Sequence, residues 1–187
     1  MQATWTTVDQ SPRPATDALE AALAVVQIQG CDNSDCDTPI GSGVIVHPSG
    51  LILTAYHVLL TDPTDLNSQR YPDFVIAMTE DMRAAPQPRY RASLVASKDD
   101  QDLALLGIDR DLTNAPLERR SLTLPALPLA DINNLFGGAL PILGYPVSGG
   151  EAISIVSANF SSFDDEGRLI IVDRALEPGN SGGPALV

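Results

Sequence analysis

The chain has 187 residues, enough for one domain or two small lobes around a buried core. Its 24 acidic residues outnumber 11 Lys and Arg, and a formal net charge of -13 argues against a nucleic-acid partner, whose phosphates are held by basic side chains. No apolar run approaches the roughly 18 to 20 residues that cross a bilayer, so no membrane span is expected.

Residues 1–21 read as a polar arm with prolines at Pro12 and Pro14, and one or two helical turns from Asp17 lead into the first strand. Met1-Gln2-Ala3-Thr4-Trp5 has neither the basic start nor the apolar stretch of a signal peptide. The compartment therefore stays open between the cytoplasm and an exported protein after processing.

From residue 22 the pattern is β-rich, with short apolar or alternating runs punctuated by Gly, Pro, Asp and Asn. Strands are predicted near Ala24–Gln29, Ser42–His47, Leu51–Thr54, Phe74–Met78, Tyr90–Ser97 and Asp102–Ile108. Later ones fall near Ala139–Gly144, Glu151–Phe160, Leu169–Arg174 and Pro184–Val187. Pro48-Ser49-Gly50 and Asp164-Asp165-Glu166-Gly167 read as hairpin turns. Residues 109–131, broken by Pro116, Pro125 and Pro128, read as a connector. It divides a first unit over 22–108 from a second over 132–187, and many short strands favour an all-β barrel or sandwich.

Cys31 and Cys36 lie close enough in sequence to close a small disulfide loop, or to stay as two free thiols. Zinc is disfavoured, because two thiolates need further ligands and His47 and His57 are the only histidines. No metal site is expected.

Three segments carry candidate chemistry. In Gly179-Asn180-Ser181-Gly182-Gly183 the glycines allow a tight turn, so that the N–H groups of Gly179 and Ser181 can converge as an oxyanion hole beside the Ser181 hydroxyl. A serine needs such help, together with a base that takes its proton. In Leu51–Leu59 an apolar strand ends at a small residue and His57, where the period changes from two to helix-like. In Asp99-Asp100-Gln101-Asp102-Leu103-Ala104, Asp102 abuts the apolar run and is best placed to be drawn inside and hydrogen-bonded, since a carboxylate cannot be buried alone. Each segment alone has an ordinary reading as a Gly-rich loop, a core histidine or a turn acid. The order His, Asp, Ser is one known solution of the catalytic triad. It also excludes an α/β-hydrolase esterase, whose serine precedes its acid and histidine.

Gly41-Ser42-Gly43-Val44-Ile45-Val46, Ile52-Leu53-Thr54-Ala55-Tyr56-His57-Val58, Asp102-Leu103-Ala104-Leu105-Leu106 and Gly179-Asn180-Ser181-Gly182-Gly183-Pro184 resemble the chymotrypsin/trypsin superfamily, and most closely its bacterial HtrA/Deg-like branch. Leu143-Gly144-Tyr145-Pro146 and Val172-Asp173-Arg174-Ala175 support the resemblance, which covers about residues 22–187. It implies a chymotrypsin-like double antiparallel β-barrel and a serine endopeptidase acting on polypeptides. The roles are His57 as base, Asp102 as orienting acid and Ser181 as nucleophile, with no cofactor. The alternative on the same fold is a non-catalytic peptide-binding module or pseudo-protease.

Asn180 stands where trypsin-like zymogens carry an aspartate, so no activation by a newly cut N-terminus is expected. Ala175 and Leu176 would form the specificity-pocket wall, and Ala175 at the position of trypsin's acid implies small or medium apolar P1 side chains. Relatives of this kind continue beyond their nucleophile loop through further strands. The resemblance therefore implies an incomplete second barrel here, to be completed by an additional C-terminal domain or a partner chain.

Overall fold

A computed structural model describes residues 12, 14–15, 17–32, 35–130, 138–146, 152–163, 170–173 and 175–187. A short helix α1 (Ala18–Ala22) is capped by Asp17, whose carboxylate accepts from the Glu20 N–H at 2.8 Å. Strands β1 (Val25–Asp32), β2 (Asp35–His47), β3 (Leu51–Ala55), β4 (Asp73–Met78), β5 (Gln87–Lys98) and β6 (Leu103–Asp111) follow. They close into an antiparallel barrel in the order β1-β2-β3-β6-β5-β4. The six strands predicted for this part of the chain are all present, and β2 and β5 begin earlier than expected. Their polar, proline-bearing starts do not alternate, and it is pairing with β1 and β4 that holds them extended.

Alternation of side chains explains how this barrel is both filled and clad. From β1, Val26 and Ile28 enter the interior beside Ile45, Ile52, Phe74, Ile76, Leu106 and Ile108. Val25 points outward and joins Val44, Ala21, Leu127, Leu143 and Tyr145 in a second cluster. That outer cluster is where the rest of the chain docks. The Pro48–Gly50 turn is tight, with Gly50 at φ +82° and its N–H on the His47 carbonyl at 3.0 Å.

Cys31 and Cys36 are disulfide-bonded across the β1–β2 hairpin. Beside them Arg91 and Arg110 lie opposite each other on β5 and β6, a pairing that like charges would disfavour. Asp73 resolves it, accepting from Arg91 at 2.6 Å and from Arg110 at 2.7 Å. Burial pushes the Asp73 carboxyl up, but the hydrogen bonds from Arg110 and Arg91 outweigh it and leave it below its ordinary value.

After β6 the chain makes one turn of 3₁₀ helix (Arg119–Ser121) and lies against the barrel, held by Leu124 N–H on Pro48 O (3.0 Å) and Leu127 N–H on Ile45 O (2.9 Å). Then β7 (Ala139–Gly144), β8 (Ser154–Phe163) and β9 (Ile170–Val172) form a three-stranded antiparallel sheet. The end of the chain adds to the free edge of β7. There Leu143 donates to Pro184 O at 3.0 Å and Leu186 donates to Pro141 O at 2.9 Å. The strand predicted at Pro184–Val187 is thus reduced to a bridge between Ile142 and Ala185. The predicted Asp164–Gly167 turn lies outside the described residues. Among the described residues the architecture is all-β, with one closed barrel and one open sheet.

Candidate active site

His57 sits where β3 gives way to a 3₁₀ turn over Tyr56–Leu59, the change of period read from the sequence. Tyr56 and Val58 on either side of it are buried in the barrel core, so the backbone under the imidazole is fixed. Asp102 faces it from the turn before β6. Its backbone is left-handed (φ 50°, ψ 42°), a conformation that Asp and Asn tolerate better than other residues carrying a Cβ.

The two residues meet through two bonds, and a third ties Asp102 to the neighbouring Tyr56. Asp102 Oδ1 accepts from the His57 backbone N–H at 2.8 Å, and Asp102 Oδ2 lies 2.7 Å from His57 Nδ1. The Asp102 carbonyl accepts from the Tyr56 N–H at 3.0 Å. A carboxylate only accepts, so Nδ1 carries the proton and the Nε2 lone pair of the neutral ring is left free. Asp102 is not drawn inside as fully as its sequence position suggests, for its side chain is 45% exposed against 27% for His57. Asp102 forms part of the wall of a cavity of about 750 Å³ shared with Val44, Leu53, Leu127 and the stretch from Gly182 to Val187.

Ser181 reaches this region on the turn between Glu177 and Pro184. Asn180 N–H bonds to Glu177 O at 3.2 Å and Gly183 N–H to Asn180 O at 2.9 Å. Gly179 (φ +96°) and Gly182 (φ +82°) take conformations that favour glycine. A Cβ on Gly182 would run into the Ser42 carbonyl and the Thr54 hydroxyl and come within 3.1 Å of the Ala55 nitrogen. The residue after the serine is therefore pressed against β2 and the end of β3, just before His57. Among the described residues the N–H groups of Gly179 and Ser181 have no acceptor, and no hydrogen bond joins the Ser181 hydroxyl to His57. Bonds of that kind often tighten only when substrate is present.

Ala175 and Leu176 are exposed and line no part of the cavity beside Asp102. Asn180 is almost fully buried, with neither amide atom paired.

A residue given no role from sequence stands at the centre of the site. Ser42, fully buried on β2, donates its hydroxyl to Gly179 O at 2.7 Å and accepts from Tyr145 N–H at 2.9 Å. Its backbone N–H donates to Ser181 O at 2.8 Å, and its carbonyl accepts from Thr54 Oγ1 at 2.7 Å. The only local sign of this was a small residue between two glycines inside a strand, a pattern that marks close approach of another segment.

Residues 41–186 match the family described as Trypsin-like peptidase domain. The chain is 28% identical over 185 residues to a probable periplasmic serine endoprotease DegP-like from Rickettsia conorii, covering 94% of this chain and 32% of that protein. It is 32% identical over 154 residues to the magnetosome formation protease MamE of Paramagnetospirillum magneticum, covering 79% of this chain and 18% of that one. The crystal structure of the serine endoprotease from Yersinia pestis superposes with a TM-score of 0.63 at 27% identity, covering 90% of this chain and 51% of its own. This chain thus spans about a third or less of the length of these sequence relatives. With the family match covering most of its length, the chain belongs to the trypsin-like peptidases, on their HtrA/Deg-like branch.

Proposed function

We propose that this chain is the catalytic domain of a serine endopeptidase that cleaves polypeptides through an acyl-enzyme. The observation that carries the reading is the Asp102–His57 pair, which leaves His57 Nε2 as an available base. In the proposed reaction His57 Nε2 takes the Ser181 hydroxyl proton as Oγ adds to the scissile carbonyl. The N–H groups of Gly179 and Ser181 receive the negative charge on the carbonyl oxygen, and their lack of acceptors among the described residues supports that role. His57 then passes the proton to the departing amine, and water repeats the sequence to release the acyl group. Asp102 keeps the proton on Nδ1 and stabilises the imidazolium. No step requires a cofactor.

Within this reading, residues 22–108 supply the base and acid and residues 132–187 supply the nucleophile, joined by 109–131. Ala175 and Leu176 would bound a P1 site for small or medium apolar side chains. The open sheet β7–β9 would be completed from elsewhere in a longer protein or from a partner chain. The Cys31–Cys36 disulfide, and the word periplasmic in the relative's name, support an extracytoplasmic compartment.

The test is covalent labelling by a fluorophosphonate. The protein should label, Ser181→Ala and His57→Ala should lose labelling by about 10⁴-fold or more, and labelling should slow in acid, where a protonated imidazole cannot act as base. A second reading, a non-catalytic peptide-binding module, is favoured by the missing Ser181–His57 hydrogen bond. It predicts peptide binding that survives both substitutions, with no labelling of the wild type.

A further inference from the structure

We infer that Ser42 is a positioning residue for the oxyanion hole, acting through the carbonyl groups on both sides of Asn180-Ser181; this rests on the protease reading above. The argument follows the peptide planes of the loop. The Gly179–Asn180 plane is held at its carbonyl by the Ser42 hydroxyl and at its N–H by the Glu177 carbonyl, at 2.7 and 3.2 Å. Among the described residues the Asn180–Ser181 plane is held at its carbonyl alone, by Gly183 N–H, which leaves the Ser181 N–H to point at substrate. The Ser181–Gly182 plane is held at its carbonyl by the Ser42 N–H at 2.8 Å. One residue of the first barrel therefore grips the loop on each side of the Ser181 N–H, and directly after the Gly179 N–H.

The hydroxyl bond matters most, because Gly179 has no Cβ to restrict it and sits at φ +96°. Without the Ser42 hydroxyl, the Gly179 carbonyl loses its side-chain anchor and the adjoining plane, which carries the Gly179 N–H, is free to rotate. That N–H is one of the two proposed oxyanion donors. The hydroxyl is itself oriented. Its one proton goes to Gly179, so it can serve Tyr145 N–H only as acceptor, and the end of β7 thereby fixes the direction of the gift to the loop. Ser42 touches no substrate in this scheme. It aligns the groups that do.

The test compares Ser42→Ala with Thr79→Val, which breaks the buried Thr79–Tyr145 hydroxyl contact at the same junction without touching the nucleophile loop. For the whole protein, kcat and KM on a peptide substrate and the pH dependence of fluorophosphonate labelling are measured. Ser42→Ala should lose roughly 10- to 100-fold in kcat and in labelling rate, less than the loss of a whole oxyanion donor, with KM within about twofold. The acid limb of its profile should stay where the wild type has it, because His57 and Asp102 are untouched. Thr79→Val should keep kcat within about twofold. Where Ser42→Ala fails to fold, Ser42→Cys, a weaker donor of similar shape, should show the same split at smaller size. A kcat unchanged in Ser42→Ala, a loss confined to KM, or an equal kcat loss in Thr79→Val overturns the assignment. A wild type that does not label overturns the protease reading itself, and this assignment with it.

Discussion

The first barrel and the β7–β9 sheet solve the problem of holding reactive groups in opposite ways. The barrel closes on itself, with no free edge among its six strands and an interior filled by its own aliphatic side chains. His57 and Asp102 stand on that rigid base, and their mutual bonds need nothing from the rest of the chain. The second region is a three-stranded open sheet whose buried residues Leu143, Tyr145 and Ile153 belong to a cluster shared with the barrel's outer face. Its loop carrying Ser181 is gripped by β2 and pressed against β3. The proposed base is preorganised by its own unit, whereas the proposed nucleophile depends on contacts made across the junction. Activity should accordingly be more fragile than folding.

The largest expected effect tests that dependence directly. Gly182→Ala places a methyl group against the Ser42 carbonyl and the Thr54 hydroxyl at a backbone angle that favours glycine. Displacing the loop by about an ångström should lower the labelling rate on the order of 100-fold or more, while circular dichroism of the barrel stays close to wild type. Retained activity would mean that the loop does not rely on this close contact.

Next in size is the difference between cores. Leu106→Ala, in the barrel interior, should cost about 2–5 kcal/mol in denaturant unfolding. Leu140→Ala on β7, buried but outside both clusters, should cost visibly less, because its surroundings can close around the gap. Equal costs would make the two regions one cooperative unit of uniform packing.

The smallest effect concerns the barrel's outer charge cluster. The Asp73 carboxyl is held below its ordinary value in the folded protein, so the stability it contributes is present above the usual carboxylate range and is lost as pH falls through its lowered value. Acid unfolding should therefore become less steep in Asp73→Asn, with little change in labelling near neutral pH. An unaltered acid transition would remove Asp73 from the groups that set it.

Much of this was legible in the sequence, for physical reasons that differ by element. The strands β1, β3, β4 and β6 were readable because one or both faces meet an apolar core, and burial leaves its period in the residues themselves. The beginnings of β2 and β5 were not, since Asp35-Cys36-Asp37 and Gln87-Pro88-Arg89 are extended through pairing and not through local pattern. Pro184–Val187 read as a strand from its apolar character, yet only a bridge forms there. That Asp102 would be hydrogen-bonded followed from the cost of burying a lone carboxylate, and its assignment to His57 from the chain order and the family resemblance. Its remaining exposure did not, because that depends on what else packs over the turn.

By itself the sequence singled out the candidates and their order, His57, Asp102 and then Ser181, because nucleophile chemistry needs these residue types and glycine-rich turns show themselves locally. Tertiary structure alone decided which tautomer of His57 is held, how Asp102 turns its carboxylate through a left-handed backbone, and that Ser42 meets Gly179 from 137 residues away. A hydrogen bond across that separation leaves no period, spacing or composition behind. It exists only once the barrel has closed and the second sheet has docked on its outer face.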